Sequence, residues 1–142
     1  MRLINKKVIW SFQETSHDIW NSDLPAPPIL TSLNIKNKKV DVVLTPTKRS
    51  NTIILDRLSG KPIFEYRLRK TNSSNIPGEK TSLYQPDLTV PQPFGKNIFT
   101  ENDFWSYDEK KFNKIKSDFK DFKYGFYEPY ELGESNLQYN FN

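Results

Sequence analysis

The sequence predicts a mainly β chain with one amphipathic helix, and three observations carry that prediction. Short runs rich in β-branched and aromatic residues recur at 8–12, 40–44, 52–55 and 62–68. Turn chemistry separates the later runs, with Pro46 after the second and Asp56 to Lys61, punctuated by Ser59-Gly60, after the third. A helical period is carried by Phe112, Ile115, Phe119 and Phe122. The 142 residues suffice for one core of ordinary size.

Val8-Ile9-Trp10-Ser11-Phe12 is expected as a short strand. Residues 14–38 are expected to be mostly loop, because Pro25, Pro27 and Pro28 cannot donate to a ladder. Residues 40–44 form the next expected strand. Thr52-Ile53-Ile54-Leu55 reads as a strand buried on both faces. After the turn, residues 62–68 resume as a strand. The last three runs lie close together and are joined by turns, which suits one antiparallel sheet. Residues 71–98 hold Pro77, Pro86, Pro91 and Pro93 and are expected as an excursion outside the sheet. The helix then starts at a capping box of Ser106 and Glu109, aided by Asp108, and ends near Lys123 and Gly125. The tail, with Pro129 as a break, has room for one or two short strands.

Composition excludes several function classes. There is no cysteine, so disulfide scaffolds, CxxC zinc sites and thiol catalysis are out. No apolar run approaches the roughly 18 residues of a membrane span, and the first ten residues show no cleavable signal. Neither GxGxxG nor GxxxxGK[ST] occurs, and only five glycines are present. The net charge of +4 is spread among interleaved acids. A nucleic-acid reading would rest on that charge and on one lysine-rich helix face, and binding to DNA that survives moderate salt would be its sign. The lysines Lys110, Lys111, Lys114, Lys116 and Lys120 fit a solvated outer face, a reading that Asp118 and Asp121 favour over a membrane-lying helix.

Two local patterns look alike. Asp56-Arg57-Leu58-Ser59-Gly60-Lys61-Pro62-Ile63-Phe64 has the form D-x-x-x-G-K-x-x-aromatic. Residues 3–10 are a worn version, with Lys6 where glycine would stand, Lys7 matching the lysine, and Trp10 as the aromatic. This resembles the tryptophan-docking motif of quinoprotein β-propellers, in which the aromatic packs against the neighbouring blade. A hairpin turn followed by a core aromatic accounts for one such match equally well.

A longer series is more specific. Trp10-Ser11-Phe12-Gln13 leads into His17-Asp18-Ile19-Trp20-Asn21-Ser22-Asp23-Leu24-Pro25-Ala26-Pro27-Pro28, then Pro46-Thr47-Lys48-Arg49-Ser50-Asn51 and Leu55-Asp56-Arg57. These resemble W-x-F-Q, H-D-x-W-D-x-D-x-P-A-x-P, P-x-K-x-G-N and L-D-R-x-x-G of the pyrroloquinoline-quinone-dependent dehydrogenases of the membrane glucose dehydrogenase-like branch. Pro77-Gly78-Glu79, Thr81-Ser82-Leu83-Tyr84-Gln85-Pro86, Tyr124-Gly125-Phe126-Tyr127-Glu128-Pro129 and Leu137-Gln138-Tyr139 continue the likeness in order, up to a glycine-rich stretch this chain lacks.

The resemblance implies a partial β-propeller, one to two blades of an eight-bladed ring, with a long Pro-rich excursion and one amphipathic helix. The implied layout is blade strands in 3–70, a Pro-rich loop in 71–103, a helix in 104–124 and the start of a next blade in 125–142. It further implies periplasmic or inner-membrane-associated oxidation of a sugar or alcohol. The implied cofactors are pyrroloquinoline quinone and a divalent metal, Ca or Mg, and the electrons pass to ubiquinone or a cytochrome. Lys48 matches the lysine that contacts the quinone's reactive carbonyl oxygens, where an ammonium stabilises developing oxygen charge. Asn21 occupies the position of the family's base Asp, and a carboxamide cannot take a proton at neutral pH. Asp23 is the nearest carboxylate that could substitute as base, and it matches a metal-binding Asp of some relatives; a plain loop acid beside Leu24-Pro25 is the other reading. His17 and Asp18 match the family's H-D as support for the funnel wall around the quinone.

The expectation is therefore a fragment of such an oxidoreductase, inactive alone and completed by further blades, with quinone binding by the isolated chain weak or absent. The competing expectation is a non-catalytic binding or assembly module that kept the blade scaffold, favoured by Asn21.

Overall fold

The computed structural model describes residues 7–96, 103–105, 107–119 and 125–130. Within it, Lys36 and Asn37 both adopt positive φ, 50° and 62°. That pair of left-handed residues makes the tight hairpin turn whose twist matches its strands. It joins β1 (Ile29–Ile35) to β2 (Lys38–Pro46), paired antiparallel from Ile35↔Lys38 to Ile29↔Leu44. β2 then pairs antiparallel with β3 (Thr52–Asp56), which gives a three-stranded sheet in the order β1-β2-β3.

β1 corrects the expectation of loop through residue 38. The prolines end at Pro28, and the next residue already belongs to the ladder. The third strand of this sheet is thus residues 29–35, not 62–68. In the latter run, Pro62 makes a single bridge to Leu55, and the ladder resumes only at β4 (Arg67–Lys70). β4 pairs with β5 (Tyr84–Asp87) in a separate two-stranded sheet. β5 lies inside the stretch expected to contribute no sheet element. Its Pro86, opposite Leu68, is tolerated because a two-stranded ladder has an outer edge on which a missing N–H costs nothing.

Residues 8–12 join no ladder among the described residues, which corrects the first expected strand. Their β-rich composition serves packing: Val8 and Ile9 are exposed, while Trp10 and Phe12 turn inward. They cover the face of β3 that presents Ile53 and Leu55. These two side chains form the buried cluster with Leu88, lined by Trp10, Phe12 and Tyr66. β3 alternates burial along its length, with Ile54 only half-buried, so it is buried on one face and not on both.

The two docking-like segments meet in this packing. Asp56 shapes the turn: its Oδ1 accepts the N–H groups of Leu58 (3.1 Å) and Ser59 (2.7 Å), and its carbonyl accepts the Gly60 N–H at 2.9 Å. Gly60 has φ +69°, and Trp10 lies directly over it. The indole Nε1 donates to the Arg57 carbonyl at 3.1 Å. The aromatic of the first pattern therefore docks on the turn of the second. Residues 3–6 of the first pattern lie outside the described residues.

The helix α1 spans Glu109–Phe119. Asp108 caps it, its Oδ1 accepting the N–H groups of Lys110 (2.8 Å) and Lys111 (3.2 Å). Ser106, the expected cap, lies outside the described residues, as do residues 120–124 of the expected helix and residues 131–142 of the tail. Phe112 is half-buried, with the Lys116 ammonium 4.8 Å from its ring centre, and Ile115 is exposed.

Candidate functional site

Two loops build the site, and each is shaped by one polar side chain. In the first, the Asp18 carboxylate accepts the Trp20 N–H at 3.0 Å and the Ser22 N–H at 2.6 Å. This double bond to its own backbone winds residues 18–22 into a tight loop. His17 and Asn21 sit on it at positive φ, 48° and 57°. Asparagine tolerates that conformation better than most residues. The His17, Asp18 and Asn21 side chains are exposed, whereas Trp20 and Ser22 are buried.

In the second loop, residues 46–51, buried Thr47 plays the same part. Its Oγ1 accepts the N–H groups of Arg49 (3.1 Å) and Asn51 (3.3 Å), and its backbone N–H donates to the Asn51 carbonyl at 2.8 Å. Ser50 is fully buried at φ +60°, where the family motif has glycine. A Cβ in this region costs about 1–2 kcal/mol, partly offset by the entropy glycine loses on folding. Ser50→Gly is accordingly expected to stabilise the chain by about 0.5–1 kcal/mol, read as a higher urea midpoint at unchanged m-value.

The Lys48 side chain joins the loops. Its Nζ donates to the Asn21 carbonyl at 2.9 Å and to Asp23 Oδ1 at 2.8 Å. Lys48 is largely covered, 22% exposed, and Asp23 is open to solvent at 66%. The hydrogen bond from Lys48 holds the Asp23 carboxyl below its ordinary value. A depressed carboxyl favours the folded state above its unfolded pKa and loses that contribution as pH falls through the folded value. Asp23 is thus expected to titrate below the usual aspartate range in carboxyl ¹³C NMR. Lys48→Met should return it toward that range.

The back of the site is a buried polar layer that joins residues of three separate motifs to Glu14, Thr15 and Arg49, which no motif specifies. Gln85 of β5, fully buried, clamps Ser16 twice: its Oε1 accepts the Ser16 N–H at 2.8 Å and its Nε2 donates to the Ser16 carbonyl at 2.6 Å. The excursion thereby anchors the first loop. Trp20 Nε1 donates to the Glu128 carbonyl at 2.7 Å, and its ring meets Tyr127 edge-on at 5.1 Å. Glu14 and Thr15 are both buried. The Thr15 hydroxyl donates to Glu14 and lies 3.2 Å from the Tyr127 hydroxyl. Burial pushes the Glu14 carboxyl up and the Tyr127 phenol up to about 12. Arg49 lies 3.7 Å from the Tyr127 ring centre. Nothing in the sequence flags Glu14, Arg49 and Tyr127 as neighbours, since they come from three distant segments.

The short antiparallel strands and the tryptophan docked on a neighbouring turn suit a segment of a β-propeller blade. The family model described as "Glucose/ethanol/alcohol dehydrogenase, beta-propeller domain" matches residues 5–140, and the chain belongs to this family. It is 42% identical over 105 residues to the quinoprotein glucose dehydrogenase of Escherichia coli (strain K12), covering 67% of this chain and 13% of that protein. It is 33% identical over 102 residues to the quinoprotein glucose dehydrogenase of Gluconobacter oxydans (70% and 12%). It is 30% identical over 97 residues to the quinate/shikimate dehydrogenase (quinone) of Acinetobacter baylyi (68% and 12%). The chain thus spans about an eighth of the length of these relatives. No solved structure matches it.

Proposed function

We propose that the surface closed by Lys48, Asn21 and Asp23 is part of the wall of a pyrroloquinoline-quinone site in an enzyme that oxidises a sugar or an alcohol. The observation that supports this most is the Lys48 ammonium, held by Asn21 and Asp23 at the mouth of two abutting loops. An ammonium has three donors, and these two acceptors leave one for an anionic or carbonyl oxygen of the cofactor. When bound, the quinone takes up the electrons released from the substrate's C–H bond. Lys48 would then stabilise negative charge on the cofactor's oxygens, and Asp23 would keep the ammonium oriented.

The proton of the substrate hydroxyl needs a separate acceptor. Asn21 offers only a carboxamide, so in this reading Asp23 is the group left to receive it. The divalent metal fits less well. Among the described residues no group of three or more His, Asp or Glu side chains gathers to hold a cation, and Asp23 would be a single ligand. Further blades would complete the ring. The electron acceptor in this reading is ubiquinone or a cytochrome, and the location is the periplasm or the inner-membrane surface. Among the described residues no helix is long and apolar enough to cross a membrane.

The test is a chimera in which residues of this chain replace the matching stretch of the Escherichia coli relative. Titration with pyrroloquinoline quinone, followed by fluorescence quenching, is expected to show binding that Lys48→Met weakens about 10–100-fold, as loss of a charged hydrogen bond implies. Equal affinity in both proteins refutes the assignment of Lys48. The second reading, a non-catalytic module, is favoured by Asn21 and predicts quinone binding without turnover.

A further inference from the structure

The Lys48 contact depends on where two separate loops lie, and one buried aromatic touches both. Trp20, the residue before Asn21, meets the Tyr127 ring edge-on at 5.1 Å. Arg49, the residue after Lys48, places its guanidinium 3.7 Å from the centre of the same ring. Tyr127 is 2% exposed. Its hydroxyl is tied to Thr15, whose own proton goes to Glu14, so the phenol is the donor in that 3.2 Å contact. The ring therefore cannot shift without moving the next-door neighbours of both Asn21 and Lys48. A guanidinium over a desolvated ring is held more firmly than one in water. Glu14 and Asp18 add favourable charge around Arg49, as does Asp87 at the end of β5.

We propose that Tyr127 is a positioning residue: its ring, gripped by Trp20 on one loop and Arg49 on the other, sets the distance across which Lys48 reaches Asn21 and Asp23. The motifs shared with the family leave positions 14, 15 and 49 open, so the Arg49 side of the device is built from residues that those motifs do not specify, while Trp20 belongs to the H-D-x-W motif. Its functional meaning rests on the reading of Lys48 as the quinone-facing cation. The geometry itself does not.

The test reads the Lys48 ammonium directly in the full chain, without quinone, as the solvent-exchange rate of its Nζ protons by ¹⁵N NMR. Tyr127→Phe keeps the ring and is expected to leave the rate at the wild-type value. Tyr127→Leu removes the ring and is expected to speed exchange about tenfold, as loss of a desolvated cation–π contact implies. Amide shifts of β1, β2 and β3 report whether the fold is kept. If Tyr127→Leu fails to fold, Arg49→Lys decides, because it keeps the charge but loses the planar stacking face and is expected to speed exchange likewise. Wild-type exchange in folded Tyr127→Leu or Arg49→Lys overturns the proposal, as does a Tyr127→Phe rate equal to that of Tyr127→Leu. Failure of the quinone titration leaves this measurement unaffected, so the two readings fail separately.

Discussion

Gly60→Ala is expected to destabilise the chain by about 2–4 kcal/mol, from a Cβ at positive φ together with overpacking. At φ +69° an added Cβ would stand 2.4 Å from Trp10 Cδ2, 2.6 Å from Cγ and 2.7 Å from Cε3. Real Cβ atoms do not approach so closely, so the indole must lift. Lifting it breaks the Nε1 bond to the Arg57 carbonyl and uncovers Leu55. Urea unfolding should show a lower midpoint, and the emission of Trp10 should shift to the red. Trp10→Ala gives a control, because removing the ring removes the clash. In that background Gly60→Ala should cost only the backbone term, about 1 kcal/mol. A Gly60→Ala effect of the same size with and without Trp10 would show that the docking contact contributes nothing.

Asn21→Asp is expected to raise substrate oxidation in the chimera that completes the propeller, by at most the ~10²–10⁴ a positioned general base contributes, since Asp23, lowered by its bond from Lys48, is a weaker base already present. The new carboxylate would stand on the loop wound by Asp18, beside a carbonyl already bonded to Lys48. Rate is the discriminating quantity, since quinone affinity should change far less. Dye-linked oxidation of glucose, measured across pH, checks it. The gain should fall away at low pH as the carboxylate protonates. A folded, quinone-binding chimera whose rate does not rise would favour the non-catalytic module.

Much of this was readable from local residue chemistry. The Asp56 turn, the strands around residues 40–44 and 52–55 and the capped helix follow from turn residues, β-branched runs and periodicity within a few positions. The hairpin at Lys36-Asn37 was not, because its left-handed pair lacks the glycine that usually announces such a turn. Nor was β5, because a strand containing Pro86 is viable only at an edge, and edges are a property of the assembled sheet. Residues 8–12 misled in the opposite direction. Their composition fits any half-buried extended segment, and a ladder partner is a separate requirement.

The same division runs through the candidate site. The H-D-x-W and P-x-K motifs identified Lys48, Asn21, Asp23, His17 and Asp18 as individual positions, since each motif is contiguous and its spacing survives in the chain. That Lys48 reaches Asn21 and Asp23, and does not point into solvent, is settled by the packing of two loops more than twenty residues apart. That packing is carried by Gln85 and Tyr127, whose motifs do not say what they touch, and by Glu14 and Arg49, which no motif specifies. Sequence by itself determined the family and the β character of the chain, and it singled out the candidate side chains. Tertiary structure alone decided which of them meet, because a buried hydrogen bond or ring contact needs partners from distant segments, and no single segment encodes the distance between two others.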